Sequence, residues 1–227
     1  MKNLPIQQKP KPSLGSQSMY DHKDGVGLRK MHKGDLFALL SLKQESWWGT
    51  HQTLISNIED QQRWYESIPA SQLFMIAMKD NEPIGVSVYT DIDWVNRSLN
   101  IGGSIYVTYR KDYELVKAAF SCGLDFGFEM LNMRRMGAEV LEFHAAAHKL
   151  EVGHLGFKLE GRRRKAVYKC GKYYDSICLG LLRDEWEQQD RIKAYGEDGC
   201  NMNFNTIRAD KLAERLNQDL EEVVVFE

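Results

Sequence analysis

The spacing of apolar residues changes several times along this chain, and each change marks a new element. Residues 26–31 predict a short strand. After Gly34-Asp35 the spacing lengthens, and Leu36, Leu39, Leu40 and Leu42 fall on the inner face of a helix. Ser56-Asn57-Ile58-Glu59 has the spacing of a capping box and opens a second helix carrying Trp64 and Tyr65. Residues 73–78 and 83–90 predict a hairpin around Lys79-Asp80-Asn81-Glu82, which is turn chemistry. A longer strand, 96–107, contains Gly102-Gly103, where a bulge or a close backbone approach is expected. Over 113–131 the spacing is helical again, with Leu115, Ala118, Ala119, Cys122, Leu124 and Phe128 inward. A strand over 135–143 follows, and then a short helix over 145–152 that stops before Gly153. The last hairpin has arms at about 163–169 and 172–181, joined at Cys170-Gly171. Trp186 closes the compact part.

The two ends read differently. Residues 1–26 hold Pro5, Pro10 and Pro12 among Lys, Gln, Ser and Gly, too little apolar surface to offset ordering entropy. A flexible tail is expected there. Residues 188–227 form an appendage with a helix over 209–222, where Leu212, Leu216 and Leu220 make a narrow apolar stripe. It ends on Val223-Val224-Val225-Phe226, and an apolar end of this kind normally packs on something. Tail and terminal helix are the expected contact surfaces for a protein partner or for self-association. Between them, 27–187 form one mixed α/β (α+β) domain without the βαβ alternation of a doubly wound sheet.

Composition narrows the classes. Of 227 residues, 43% are apolar and 27% charged, which excludes whole-chain disorder. The 30 basic and 32 acidic residues leave a net charge of -2, so no global field draws nucleic acid or an anionic membrane. The four cysteines form no CxxC pair, which disfavours a zinc site and a disulfide framework. No apolar run approaches ~18 residues, and the polar N-terminus lacks a signal-peptide segment. A cytoplasmic protein is expected. His144 and His148 have a zinc-like i, i+4 spacing, but only Ala145-Ala146-Ala147 lies between them, so no metal is expected. Arg162-Arg163-Arg164-Lys165 sits on a strand, where alternate residues face opposite sides, and reads as a solvated hairpin face.

Particular strings then point to a family. They include Gln62-Arg63-Trp64-Tyr65-Glu66, Pro83-Ile84-Gly85 and Asp93-Trp94-Val95-Asn96-Arg97-Ser98. The most specific block starts at Leu155-Gly156-Phe157-Lys158-Leu159-Glu160-Gly161. It continues through Val167-Tyr168-Lys169 and Gly171-Lys172-Tyr173-Tyr174-Asp175 to Leu181-Leu182-Arg183-Asp184-Glu185-Trp186. Over roughly 27–187 the chain resembles the GNAT acyltransferases. The nearest branch holds the ribosomal-protein N-terminal acetyltransferases, spermidine acetyltransferase and some amino-sugar acetyltransferases. The resemblance implies a bent, mostly antiparallel mixed sheet flanked by helices, opened between its fourth and fifth strands to take acetyl-CoA. The pyrophosphate would rest on backbone N–H groups at the N-terminus of the following helix. The donor site would then run along Ile105, Val107, Arg110, Tyr113, Leu115 and His144.

Four positions depart from the family pattern. The phosphate loop, Arg/Gln-x-x-Gly-x-Gly/Ala, reads Arg110-Lys111-Asp112-Tyr113-Glu114-Leu115. Both small positions are lost, and Asp112 and Glu114 add negative charge beside the phosphates. Asn100 stands where some members use a glutamate base, and an amide cannot take a proton. His144 replaces an Asn that reaches the donor's arm. The expected Tyr of the next helix is Glu151 or Val152, according to which end is aligned. The expectation is therefore an eroded site with no acetyl-CoA or only weakly bound acetyl-CoA, on a non-catalytic binding or structural component. Such chains also occur in phage genomes, which would place it in a virion or the host cytoplasm. The alternative is an active N-acetyltransferase on a primary amine of a protein, polyamine or amino sugar. No catalytic residue is assigned. If the chain is active, the base is sought among Asp93, Glu139 and a water held by Asn100.

Overall fold

In the computed structural model, residues 20–21, 25–51 and 57–189 are described. In chain order the elements are β1 (Tyr20–Asp21), β2 (Val26–Lys30), α1 (Leu36–Ser46), α2 (Ile58–Glu66), β3 (Leu73–Lys79), β4 (Glu82–Asp93) and β5 (Ser98–Ile105). Then come α3 (Tyr113–Glu129), β6 (Arg135–Leu141), α4 (Ala145–Glu151), β7 (Lys158–Lys169), β8 (Lys172–Leu182) and α5 (Arg183–Gln188). The strands form one sheet in the order β1-β2-β3-β4-β5-β6-β8-β7. Every pairing is antiparallel except β5 with β6.

The two tight hairpins follow from their turn residues. Asp80 and Asn81 have φ of 50° and 64°, and Cys170 and Gly171 have 46° and 84°. Two left-handed residues in a two-residue loop match the twist of the strands they join. In α2 the cap falls one residue after the predicted start: Asn57 Oδ1 accepts the Asp60 N–H at 2.8 Å.

Both faces of the sheet are covered, so β3 reads as an unbroken apolar run rather than an alternation. Phe74, Ile76 and Met78 face Leu39 and Leu42 of α1, with the Trp64 ring edge-on to Phe74 at 4.9 Å. Met75 and Ala77 turn to the opposite core, with Leu124, Phe126 and Phe128 of α3. Trp186 seals that core. Its ring stacks on Phe128 at 5.0 Å, and its Nε1–H donates to the buried Asp125 carboxylate at 2.7 Å. Truncating such a side chain to Ala costs about 3–5 kcal/mol.

Two expectations change. The tail prediction for 1–26 fails at Tyr20, which is 3% exposed, lies in β1 and donates to Glu129 Oε2 at 2.7 Å. Its ring meets Phe126 edge-on at 5.6 Å and belongs to the main core. There is no bulge at Gly102: β4 and β5 stay in register from Gly85↔Ile105 to Thr90↔Asn100, and the irregularity falls between Thr90 and Asp93. The close approach is real at Gly103, where a Cβ would sit 2.6 Å from the Val86 carbonyl. Residues 1–19 and the helix predicted at 209–222 lie outside the described residues.

One feature of the sheet positions the site. β5 and β6 pair only through Ser98↔Arg135, Leu99↔Met136 and Asn100↔Gly137. Beyond Asn100 they part, while β6 stays paired with β8 as far as Leu141↔Ser176.

Candidate functional site

A cavity of about 570 Å³ opens where the strands part. Its walls are Ile101–Ile105 of β5 and Ala138–Val140 of β6. Further walls are the start of α3, the inner side of α4, and α1 with the loop that follows it. The parted strand edges leave backbone groups able to pair with an extended chain.

The α3 end of the cavity is largely occupied by the protein's own groups. Arg110 donates from Nε to the Ile105 carbonyl and from Nη2 to Ser46 Oγ, both at 2.8 Å. Asp112 is the N-cap of α3, and its Oδ1 accepts the Leu115 N–H at 3.0 Å. That N–H is one of the orphan donors a helix start would offer an anion. Tyr113 lines the cavity and lies between two cations, with Lys117 Nζ at 5.2 Å and Lys149 Nζ at 5.1 Å from its ring. Glu114 is ion-paired with Lys117 at 2.6 Å, so its charge is locally compensated.

Two donor-site candidates stand elsewhere. Leu115 is not in the wall: its side chain packs on the main core, and only its N–H is involved at the helix end. Val107 is also off the cavity, 52% exposed on the turn before α3, with its N–H on Glu45 Oε2 at 3.3 Å. Ile105, Arg110, Tyr113 and His144 do border the cavity. The predicted obstruction therefore narrows to Tyr113.

His144 caps α4, its Nδ1 accepting the Ala147 N–H at 3.2 Å. Trp48 stacks on its ring at 5.0 Å, and a Cβ on Gly49 would come within 2.6 Å of its Cδ2. Glycine at 49 is what lets the loop after α1 reach across to α4. Burial lowers the His144 pKa from its ordinary value; a bond to its own backbone opposes this, and His148 and Arg110 add to the lowering.

The same loop carries a polar chain on the far wall. His51 Nε2 lies 2.7 Å from Ser176 Oγ, which donates to Glu139 Oε2 at 3.0 Å. Glu139 Oε1 also takes Arg163 Nη1 at 2.6 Å. Lys169 Nζ donates to the Trp47 carbonyl at 2.6 Å and fixes the loop against β7. His51 and Glu139 border the cavity, and Ser176 is fully buried behind them.

Among the residues considered as a base, Glu139 is part of this chain. Asn100 borders the cavity and donates from Nδ2 to Asp91 Oδ2 at 2.9 Å. Asp93 is not in the wall. Its carboxylate accepts the Val95 and Asn96 N–H groups and the Asn96 amide, which hold its pKa low, and it shapes an exposed turn. Glu151 is in the wall. Burial pushes its pKa up to about 8, and its Oε2 has no hydrogen-bond partner among the described residues.

Sequence reasoning missed His51 and Ser176. They are 125 residues apart and belong to no motif, so only the fold brings them together. Among the described residues no group of three or more His, Cys, Asp or Glu could hold a metal ion, and no helix is long and apolar enough to cross a membrane.

Comparison with known proteins adds the following. The acetyltransferase (GNAT) domain family matches residues 28–178. The SPbeta prophage-derived uncharacterized N-acetyltransferase YokL of Bacillus subtilis (strain 168) is 30% identical over 114 residues, 50% of this chain and 63% of that relative's length. Spermidine N-acetyltransferase of Vibrio cholerae, in complex with CoA and spermine, superposes with a TM-score of 0.67 at 17% identity, covering 72% of this chain and 99% of that one. The spermidine/spermine N-acetyltransferase of the same organism, in complex with manganese ions, gives 0.64 at 18% identity, over 73% of this chain and 96% of that one. At such identities these two solved structures speak for the fold alone.

Proposed function

The chain belongs to the GNAT acetyltransferase family, and from that premise we propose that it transfers an acetyl group from a weakly held acetyl-CoA to a primary amine. What carries this reading is the parting of β5 from β6 after Asn100, with His51 and Glu139 on the wall of the cavity that opens there. The free edges of Ile101–Ile105 and Ala138–Val140 suit an extended pantetheine arm pairing as an added strand. The α3 end suits the phosphates less well, because Asp112 takes the Leu115 N–H and Tyr113 fills space. Bound there, acetyl-CoA would supply the activated acyl group. The chain's own residues would orient the amine and take its proton. The carboxylates of Asp91 and Glu139 and the ring of Trp48 suit a cationic acceptor, while the Trp64 ring already holds Lys43 Nζ at 3.2 Å.

A second reading is favoured by that same commitment of Asp112 and Tyr113. In it the site is eroded and the protein is a non-catalytic binding or structural component, such as a part of a phage particle. Its tail and terminal helix would then meet a protein partner or a second copy.

Calorimetric titration with acetyl-CoA, paired with a thiol-release assay over protein, polyamine and amino-sugar amines, separates the two. The first reading expects a Kd approaching the millimolar range, about -4 kcal/mol, and amine-dependent thiol release. Absence of release with every amine class, together with no heat at millimolar acetyl-CoA, would leave the second reading standing.

A further inference from the structure

His51, Ser176 and Glu139 come from the loop after α1, from β8 and from β6, and their hydrogen bonds determine where the imidazole proton sits. Glu139 is ion-paired with Arg163, and a carboxylate only accepts hydrogen bonds. Ser176 has one hydroxyl proton, and it goes to Glu139 Oε2 at 3.0 Å. The 2.7 Å contact between Ser176 Oγ and His51 Nε2 therefore needs its hydrogen from the imidazole. The direct His51–Glu139 separation, 3.7 Å, is too long to serve instead. A neutral ring with Nε2 protonated has its lone pair on Nδ1, and Nδ1 contacts no polar group among the described residues. Ser176 is fully buried, so water does not compete for its hydroxyl.

We infer that Ser176 and Glu139 hold His51 with its Nδ1 bare, and that this atom is the proton acceptor for the amine in the cleft. The inference rests on the acyl-transfer reading above. As the amine nitrogen bonds to the acetyl carbonyl carbon, the carbon–sulfur bond breaks and its electron pair leaves with the thiol sulfur. The nitrogen becomes acidic, and its proton passes to Nδ1. Ser176 and Glu139 are positioning residues. Among the described residues, the groups facing the ring are Glu139 from β6, Arg163 and Lys169 from β7 and Ser176 from β8. Burial lowers the His51 pKa, Glu139 opposes this, and Lys169 and Arg163 add to it. The net lowering favours the neutral ring, and activity is expected to persist somewhat below the pH at which a free histidine would be half protonated.

Two measurements on the full chain test this separately. In a two-bond proton–nitrogen correlation spectrum of protein labelled at histidine nitrogens, with His51→Gln for assignment, His51 should show Nε2 protonated and Nδ1 bare at pH 7. Ser176→Ala should bring in the Nδ1-protonated form. An Nδ1-protonated or doubly protonated His51 in the wild type overturns the inference, whatever the activity. In the thiol-release assay, His51→Gln should lower kcat by about 100-fold or more, since an amide cannot take a proton. Ser176→Ala should lower kcat with the acceptor KM unchanged. Wild-type kcat in His51→Gln overturns the catalytic role. A wild type that releases no thiol with any amine defeats the acyl-transfer reading and that role together, while the spectrum still decides the state of the ring.

Discussion

At the α3 end of the cleft, the charged groups of one short stretch turn back on the chain. Arg110 is bonded to Ile105 and Ser46, Asp112 to Leu115, and Glu114 to Lys117. At the far wall, polar groups from three separate elements converge and still leave acceptor atoms that have no partner among the described residues, such as His51 Nδ1. A ligand at the first end must displace bonds that are already made, each with a net worth of about 0.5–1.5 kcal/mol. A ligand at the second meets an arrangement held ready by bonds it need not break. The cleft is thus self-satisfied where the donor's phosphates would sit and preorganised where a proton would move.

The largest effect that can sharpen this contrast comes from Glu151, on the α4 wall. Its carboxyl is raised from 4.5 to about 8 by burial. A carboxyl raised on folding stabilises the folded state fully below about pH 4.5, and that contribution disappears as pH rises through about 8. The full difference is up to about 5 kcal/mol. Wild-type stability should fall between these pH values by more than its other groups explain, and Glu151→Gln should remove that part of the slope. At pH 9 the variant should be the more stable, and at pH 4.5 the two should agree. Urea denaturation across this range checks it. Parallel curves would mean that water reaches Glu151 and that the α4 wall is wet.

Next in size is Tyr113→Gly. Removing the ring opens the approach to the start of α3 and should tighten acetyl-CoA binding about tenfold, about 1.4 kcal/mol. Glycine there should also cost up to about 1 kcal/mol of stability, which a thermal melt reads independently. Unchanged affinity in the calorimeter would show that the ring is no obstacle and that the bonds made by Arg110 and Asp112 set the limit.

What the sequence made legible follows the same division. The two-residue turns at Asp80-Asn81 and Cys170-Gly171, the spacing in α3 and the closing Trp186 are local signals, and the structure has them in place. Residues 110–115 were readable because the loop is contiguous. Even so, the reading placed Leu115 in the cleft, whereas its side chain belongs to the core. Side-chain direction depends on where a helix begins, and the cap at Asp112 sets that start. The strand irregularity was misplaced for a related reason: glycine marks permissive backbone, but Gly102 keeps its register with Val88. The His51–Ser176–Glu139 chain was illegible because its geometry exists only once β6, β8 and the loop after α1 have packed.

The smallest expected effect separates charge from occupancy at Asp112. Asn caps a helix about as well as Asp, so Asp112→Asn should keep the bond to the Leu115 N–H and remove only the negative charge. The position is exposed, and charge there acts through water and salt. Acetyl-CoA binding should then improve about threefold, about 0.7 kcal/mol, and the gain should fade as salt is raised. Asp112→Ala should release the Leu115 N–H as well. Its gain in affinity should exceed that of Asn and persist in high salt, although the lost cap costs about 1 kcal/mol of stability. Equal gains from Asn and Ala at every salt concentration would mean that the Leu115 N–H plays no part in anion binding. The self-bonded helix start would then not be what distinguishes the two ends of the cleft.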